Sequence, residues 1–179
     1  RELRRETGGW SDHFESLGNG RYRAFKRERY RYQDWWDTEQ VGDILVTANR
    51  YPDGVGGHAF AAYECVNLTI EDVTLYAAGA FGFLEKGCDG TKYLRCKIGR
   101  CPPEDDPVLR ASPRLRSLNA DAFHSTMATR GPSIIGCSAQ YQGDDCVNIH
   151  GIYHPVTACQ GTRLRIAALR ELTISPGDP

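Results

Sequence analysis

Residues 69 to 76 read TIEDVTLY, and 23 positions later residues 92 to 99 read KYLRCKIG. That shift places Ile70, Val73 and Leu75 on Tyr93, Cys96 and Ile98, apolar on apolar each time. A further shift of 41 carries Cys96 and Ile98 onto Cys137 and Ala139 of SIIGCSA. Between Cys65 and Gly151 apolar residues do not recur at helical spacing. Short β-rich runs alternate instead with glycines and polar turns. Units of 23 to 24 residues, each with two or three short strands and no helix, suit a solenoid. The expected fold is all-β, a right-handed parallel β-helix with coils stacked at the strand spacing of about 4.8 Å. A leucine-rich repeat has a similar period, but its Leu and Asn consensus is missing. A β-sandwich is the structural alternative.

A second column extends the pattern. A shift of 42 places Phe81 and Phe83 of AFGFL on Phe123 and Ser125 of AFHST, and a shift of 24 then leads to Val147 and Ile149. In both columns the long shift exceeds the short one by 18, which one insertion in the middle repeat explains. The segment CPPEDDPVLRASPRLRSL, residues 101–118, has that length and a loop-like composition. The expected organisation is a basic, aromatic flank over residues 1–40, then a β-helical catalytic region over 41–179. Within the flank, RYRAFKRERYRYQDWW (residues 21–36) interleaves cations with aromatic rings, a pattern suited to nucleic acid or sugar. Glu28 and Asp34 dilute that field, and an exposed strand with solvated charges accounts for it as well. NRYPDGVGG (49–57) is a loop without the strand-to-helix context of a phosphate-binding turn. The sequon Asn67-Leu68-Thr69 falls in a strand-like run.

Composition narrows the function. With 179 residues, 40% of them hydrophobic, the chain suits one domain or part of a larger one. Its formal charge of −1 gives no whole-molecule field for nucleic acid or an anionic membrane. No apolar run approaches the roughly 20 residues of a membrane-spanning helix. The chain opens at Arg1 without a Met or a signal-like apolar segment, so a piece of a larger protein is expected. Seven cysteines, an odd number with no C-x-x-C, argue against a zinc site. Buried thiols and disulfides both fit them. No metal and no other cofactor is expected.

The chemistry concentrates in NADAFHS, residues 119–125, and YQGDDCVNIHG, residues 141–151. A shift of 24 sets Asp121 against Asp145 on the next coil, with Asp144 one step away. Alternation turns Phe123, Val147, Ser125 and Ile149 inward, and His124 and Asn148 outward. Three carboxylates this close cannot all ionise easily near neutral pH, so at least one pKa should rise and leave an acid beside a base. Cleavage of a glycosidic bond requires that division of labour. Asp and Asn also serve β-helix turns as local hydrogen-bonding residues. An Asp stacked on an Asp-Asp pair with flanking histidines points beyond that role.

ADAFHS followed by GDDCVNIHGIY resembles the active-site region of glycoside hydrolase family 110. Those are β-helical, exo-acting α-1,3-galactosidases, related in architecture to the polygalacturonases of family 28. The resemblance spans residues 40–178, and its most specific part runs from Asp121 to Tyr153. It implies catalytic roles for Asp121, Asp144 and Asp145, with release of terminal α-galactose by inversion. Asp121 is the expected general acid, Asp144 and Asp145 the base that activates water, and His124, Asn148 and His150 ligands of sugar hydroxyls. The expected partner is an oligosaccharide or glycan, and the expected compartment extracellular or periplasmic. NADAF and GDDC are also similar to the NTD and DD of polygalacturonases, but the later G-H-G and R-I-K of that family find only partial counterparts in IHG and LRIAAL. A polygalacturonase-like hydrolase and a non-catalytic glycan-binding or adhesin β-helix are the alternatives.

Overall fold

The structure, a computed structural model, describes residues 13–25, 41–42, 44, 46, 57–105, 108, 110, 114–167 and 174. The chain divides into two compact units, Arg1–Thr47 and Ala48–Pro179. In the first, strands β1 (His13–Gly18) and β2 (Arg21–Phe25) form an antiparallel hairpin. Its turn is Asn19-Gly20, with φ of 53° and 70°, the positive pair that a tight hairpin turn demands. Phe14–Gly18 and β2 are exposed throughout, and Arg23 pairs with Glu15 across the ladder. The rest of the basic, aromatic segment, residues 26–36, lies outside the described residues, as does most of the 49–57 loop.

The second unit is a parallel β-helix. Strands β3 (Phe60–Tyr63), β6 (Phe83–Lys86), β9 (Phe123–Thr126) and β12 (Val147–His150) stack in parallel as one four-stranded sheet. A second face carries β4 (Thr69–Glu71), β7 (Lys92–Leu94) and β10 (Ser133–Ile135). A third carries β5 (Thr74–Leu75), β8 (Lys97–Ile98) and β11 (Ser138–Ala139). An antiparallel hairpin, β13 (Val156–Gln160) and β14 (Arg163–Ile166), follows the last coil. All the named elements are strands, and helical backbone among the described residues is confined to Val108 and Arg110.

Left-handed backbone recurs at fixed columns, which is how a short coil turns its corners. Glu64, Gly87 and Met127, with φ of 52°, 64° and 57°, occupy one corner, and Asp72, Arg95 and Gly136 another. Glycine adopts this conformation without steric cost, and the other residues are held there by the stack. Arg95 bridges to Asp72 and Glu71 on the coil below, and Arg130 to Asp89. Such exposed pairs contribute little individually. The interior holds the stability: Ile70, Phe83, Tyr93, Cys96, Ile98, Leu118, Ala122 and Phe123 form one buried cluster, with Val73 and Cys137 packed against it. The rings of Phe83 and Phe123 stack at 5.2 Å, and Tyr93 closes on both at 5.3 Å. None of the seven cysteines forms a disulfide, and burial raises the pKa values of Cys88 and Cys96.

The pairings of Ile70 with Tyr93, Leu75 with Ile98, Ala139 with Ile98 and Val147 with Phe123 match the expected shifts of 23, 41 and 24. One register differs. Phe83, not Phe81, lies against Phe123, and Glu85, not Phe83, lies against Ser125. The shift is therefore 40, and it exceeds the neighbouring 23 by 17. The remaining residue sits between β9 and β10, whose first residues are 10 apart, against 9 for β6 and β7. A shift of two preserves the inward and outward parity of every side chain, so apolar patterning cannot tell 40 from 42. The inward column also takes an acidic side chain that apolar patterning alone would keep outside. Glu85 accepts hydrogen bonds from Ser125 Oγ at 2.6 Å and Tyr93 Oη at 3.2 Å, its donors on neighbouring strands. Burial first, then Glu85, raises the pKa of the Tyr93 phenol.

Candidate active site

Asp121 precedes β9, and Asp144 and Asp145 precede β12, so the stacking of those strands decides whether the carboxylates meet. They do meet. The Ala122 N–H donates to the Asp145 carbonyl at 2.9 Å, and the Gly82 N–H donates to the Asp121 carbonyl at 2.9 Å. Asp121 is thereby clamped between the coil below and the coil above. Two glycines allow the close approach. A Cβ on Gly82 would lie 2.7 Å from the Ala122 carbonyl oxygen, and one on Gly143 would lie 2.9 Å from that of Asn119.

One carboxylate oxygen from each of Asp121, Asp144 and Asp145 lies within 4.8 Å of the others. Asp121 is buried, whereas Asp144 and Asp145 are exposed. Lost hydration at the carboxyl group, then repulsion from Asp121 and Asp145, raises the pKa of Asp144, with partial relief from the Asp145 backbone and His124. The donor set is three carboxylates without a nitrogen or sulfur ligand, and two of the three are solvated. Such a set can share and transfer protons, and it is also the all-oxygen kind of set that a hard divalent cation takes.

The flanking residues are equally ordered. His124 Nδ1 lies 2.6 Å from Asp121 Oδ2, and its Nε2 lies 3.2 Å from His150 Nε2. Asn148 donates from Nδ2 to Asp145 Oδ2 at 3.3 Å and stands beside His124 in the β-ladder. All six site residues expected from sequence thus gather at one place on the β6–β9–β12 face. Two further residues join them. Phe81 stacks on His124 with centroids 4.2 Å apart, and His58 stacks on the far side of Phe81 at 5.1 Å. Phe81 occupies the column of Asp121, and His58 precedes it by 23 residues. The correct register would have identified both; the shift of 42 moved Phe81 into the core column instead.

The long loop returns close to this face. Ser117, buried, donates from its N–H to the Tyr141 carbonyl and from Oγ to the Gln140 carbonyl, both at 2.8 Å. Arg100, where the loop departs, places its guanidinium 3.8 Å from the centroid of the Tyr141 ring. Both ends of the loop are therefore anchored to the segment that leads into Asp144. Leu118 is already back in the core, bridged to Ala78.

No protein-family model matches the chain. Over 121 residues, 66% of its length, it is 36% identical to Alpha-1,3-galactosidase B of Phocaeicola vulgatus, and the match covers 19% of that protein. The chain thus spans about a fifth of the length of the curated relative it matches. This likeness relates the chain distantly to a galactosidase and supports a glycoside-hydrolase-like function. No helix among the described residues is long and apolar enough to cross a membrane.

Proposed function

We propose that the chain carries the catalytic centre of a family 110-like glycoside hydrolase that releases terminal α-linked galactose from an extracellular or periplasmic glycan. The observation that carries this proposal is the convergence of Asp121, Asp144 and Asp145 from two neighbouring coils. The likeness to a galactosidase supplies the substrate class. Asp121 is the general acid: it protonates the glycosidic oxygen as the bond from that oxygen to C1 breaks. Asp144 and Asp145 hold a water on the opposite face of the sugar. The water oxygen bonds to C1, and its proton passes to one of the two carboxylates. Lost hydration and repulsion raise the pKa of Asp144, so its carboxylate accepts a proton more readily than an isolated aspartate. Asn148 lines the sugar's approach and offers a donor to its hydroxyls, while the ring nitrogens of His124 and His150 face Asp121 and one another.

Inversion is what the family resemblance implies. The nearest carboxylate oxygens, within 4.8 Å of one another, lie closer than the roughly 6.5–9.5 Å between the carboxyl groups of inverting enzymes. The anomer released is therefore the deciding measurement. The full-length polypeptide should hydrolyse an aryl α-galactoside and α-1,3-galactobiose but leave polygalacturonate intact, and proton NMR should show β-galactose first. Cleavage of polygalacturonate alone would transfer the chain to the polygalacturonase reading, and glycan binding without hydrolysis would make it a binding module. Initial α-galactose, or a trapped glycosyl-enzyme, would make one aspartate a nucleophile.

A further inference from the structure

Three contacts run in series from solvent to the buried aspartate. His150 Nδ1 lies 3.0 Å from the Gly151 carbonyl oxygen, His150 Nε2 lies 3.2 Å from His124 Nε2, and His124 Nδ1 lies 2.6 Å from Asp121 Oδ2. Each needs one hydrogen between its two heavy atoms. A carbonyl oxygen cannot donate, so His150 Nδ1 carries the first. Two facing ring nitrogens require one hydrogen between them, and a ring nitrogen facing a carboxyl oxygen requires another. Two neutral imidazoles and a carboxylate bring only two hydrogens to these three contacts. We infer that Asp121, His124 and His150 form a proton-holding chain with one additional proton and no net charge, which reloads Asp121 as an acid from the solvent side. This rests on the catalytic role proposed above for Asp121.

The burial gradient has the direction such a chain needs. His150 is exposed, the His124 side chain is 14% exposed and that of Asp121 is 4% exposed. After Asp121 has given up its proton, the single hydrogen of neutral His124 exchanges through water from Nε2 to Nδ1, where it faces the carboxylate, and a solvent proton adds to His150 Nε2 in the vacated contact. The hydrogen there passes to His124 Nε2, and the His124 Nδ1 hydrogen passes to Asp121 Oδ2. At each step one N–H or O–H bond forms as another breaks. The charged and titratable groups facing the chain are His58 across Phe81, and Asp144 and Asp145 beside Asp121. Burial, then His124, lowers the pKa of His58 and so favours its neutral ring at the edge of the site. Phe81 covers one face of the His124 ring and fixes its plane, while the edge of that ring meets His150. His150 is accordingly a positioning residue that acts through His124.

The test needs one readout independent of turnover. Side-chain nitrogen NMR of the folded chain should show His150 protonated at Nδ1 throughout its titration. Asp121→Asn, two contacts away, should move the midpoint of the His150 titration by at least half a pH unit. A His150 titration unchanged by Asp121→Asn overturns the chain, whether or not the protein is a hydrolase. In turnover, His150→Gln should lower kcat at least 10-fold more for a galactoside with a basic leaving group than for an activated aryl galactoside. Equal losses on both substrates would make His150 a sugar ligand and likewise overturn the inference. Coupled titrations in a protein that hydrolyses no glycan would leave the proton chain standing and overturn only the proposed function.

Discussion

Ser125→Ala tests the register that apolar patterning could not fix. Ser125 lies against Glu85 on the adjacent coil, and its Oγ–H donates to Glu85 Oε1 at 2.6 Å. Both residues are almost wholly buried, at 2% and 1% exposure, so water has little access to replace the lost donor. A hydrogen bond contributes about 0.5–1.5 kcal/mol, and a buried acceptor left without a partner costs about 1–3 kcal/mol. The substitution removes one oxygen and leaves a volume too small to hold water, so relaxation offsets little of this loss. A destabilisation of about 2 kcal/mol is expected, equivalent to roughly a 30-fold change in the folding equilibrium. Urea unfolding followed by far-UV circular dichroism measures it, with the slope on denaturant unchanged. Tyr93→Phe removes the second donor, at 3.2 Å, and should cost less because that bond is longer. A loss below about 0.5 kcal/mol for Ser125→Ala would mean that Glu85 does not face Ser125, and with it the shift of 40 would fall.

Asp121→Asn, Asp144→Asn and Asp145→Asn should each lower turnover by about 100-fold or more while the circular dichroism spectrum stays unchanged, as loss of general acid or base catalysis requires. Asp144→Asn should also stabilise the fold at neutral pH. The folded state holds the Asp144 proton more tightly than the unfolded one, so this group's contribution to stability falls as pH rises from about 4 through its raised pKa. The thermal midpoint of the variant should therefore gain on the native protein across that window, and a gain independent of pH would refute the raised pKa. Gly143→Ala drives a Cβ to 2.9 Å from the Asn119 carbonyl oxygen and displaces the turn before Asp144. Turnover should fall by up to about 100-fold, an effect a misplacement near 1 Å can produce, and native kinetics in the variant would show that the turn yields without moving the aspartates. Replacing residues 104–113 by a short Gly-Ser link, with both anchors of the loop kept, should raise KM or change linkage preference without unfolding the coil. Unchanged kinetics on every glycan would remove the loop from recognition.

The solenoid was legible in the sequence because its physics is one-dimensional. Each coil must present apolar side chains at the columns where its neighbours do, so Ile70, Tyr93 and Ile134, or Leu75, Ile98 and Ala139, repeat at intervals that the pairing reproduces. The same logic brought Asp121 to Asp145, since the interval of 24 also carries Phe123 onto Val147. The register across the long loop was not legible. Side-chain direction in a strand has a period of two, so a displacement of two residues leaves the apolar pattern intact. Only the packed interior chose between the frames, because it gave Glu85 its two hydroxyl donors and set Phe83 flat on Phe123. The stack of His58, Phe81 and His124 depended on that choice. Sequence determined which residues share a face, through burial and alternation. Tertiary structure decided which atoms touch, because hydrogen bonds and ring stacking depend on ångström distances to which a repeat in the sequence is blind.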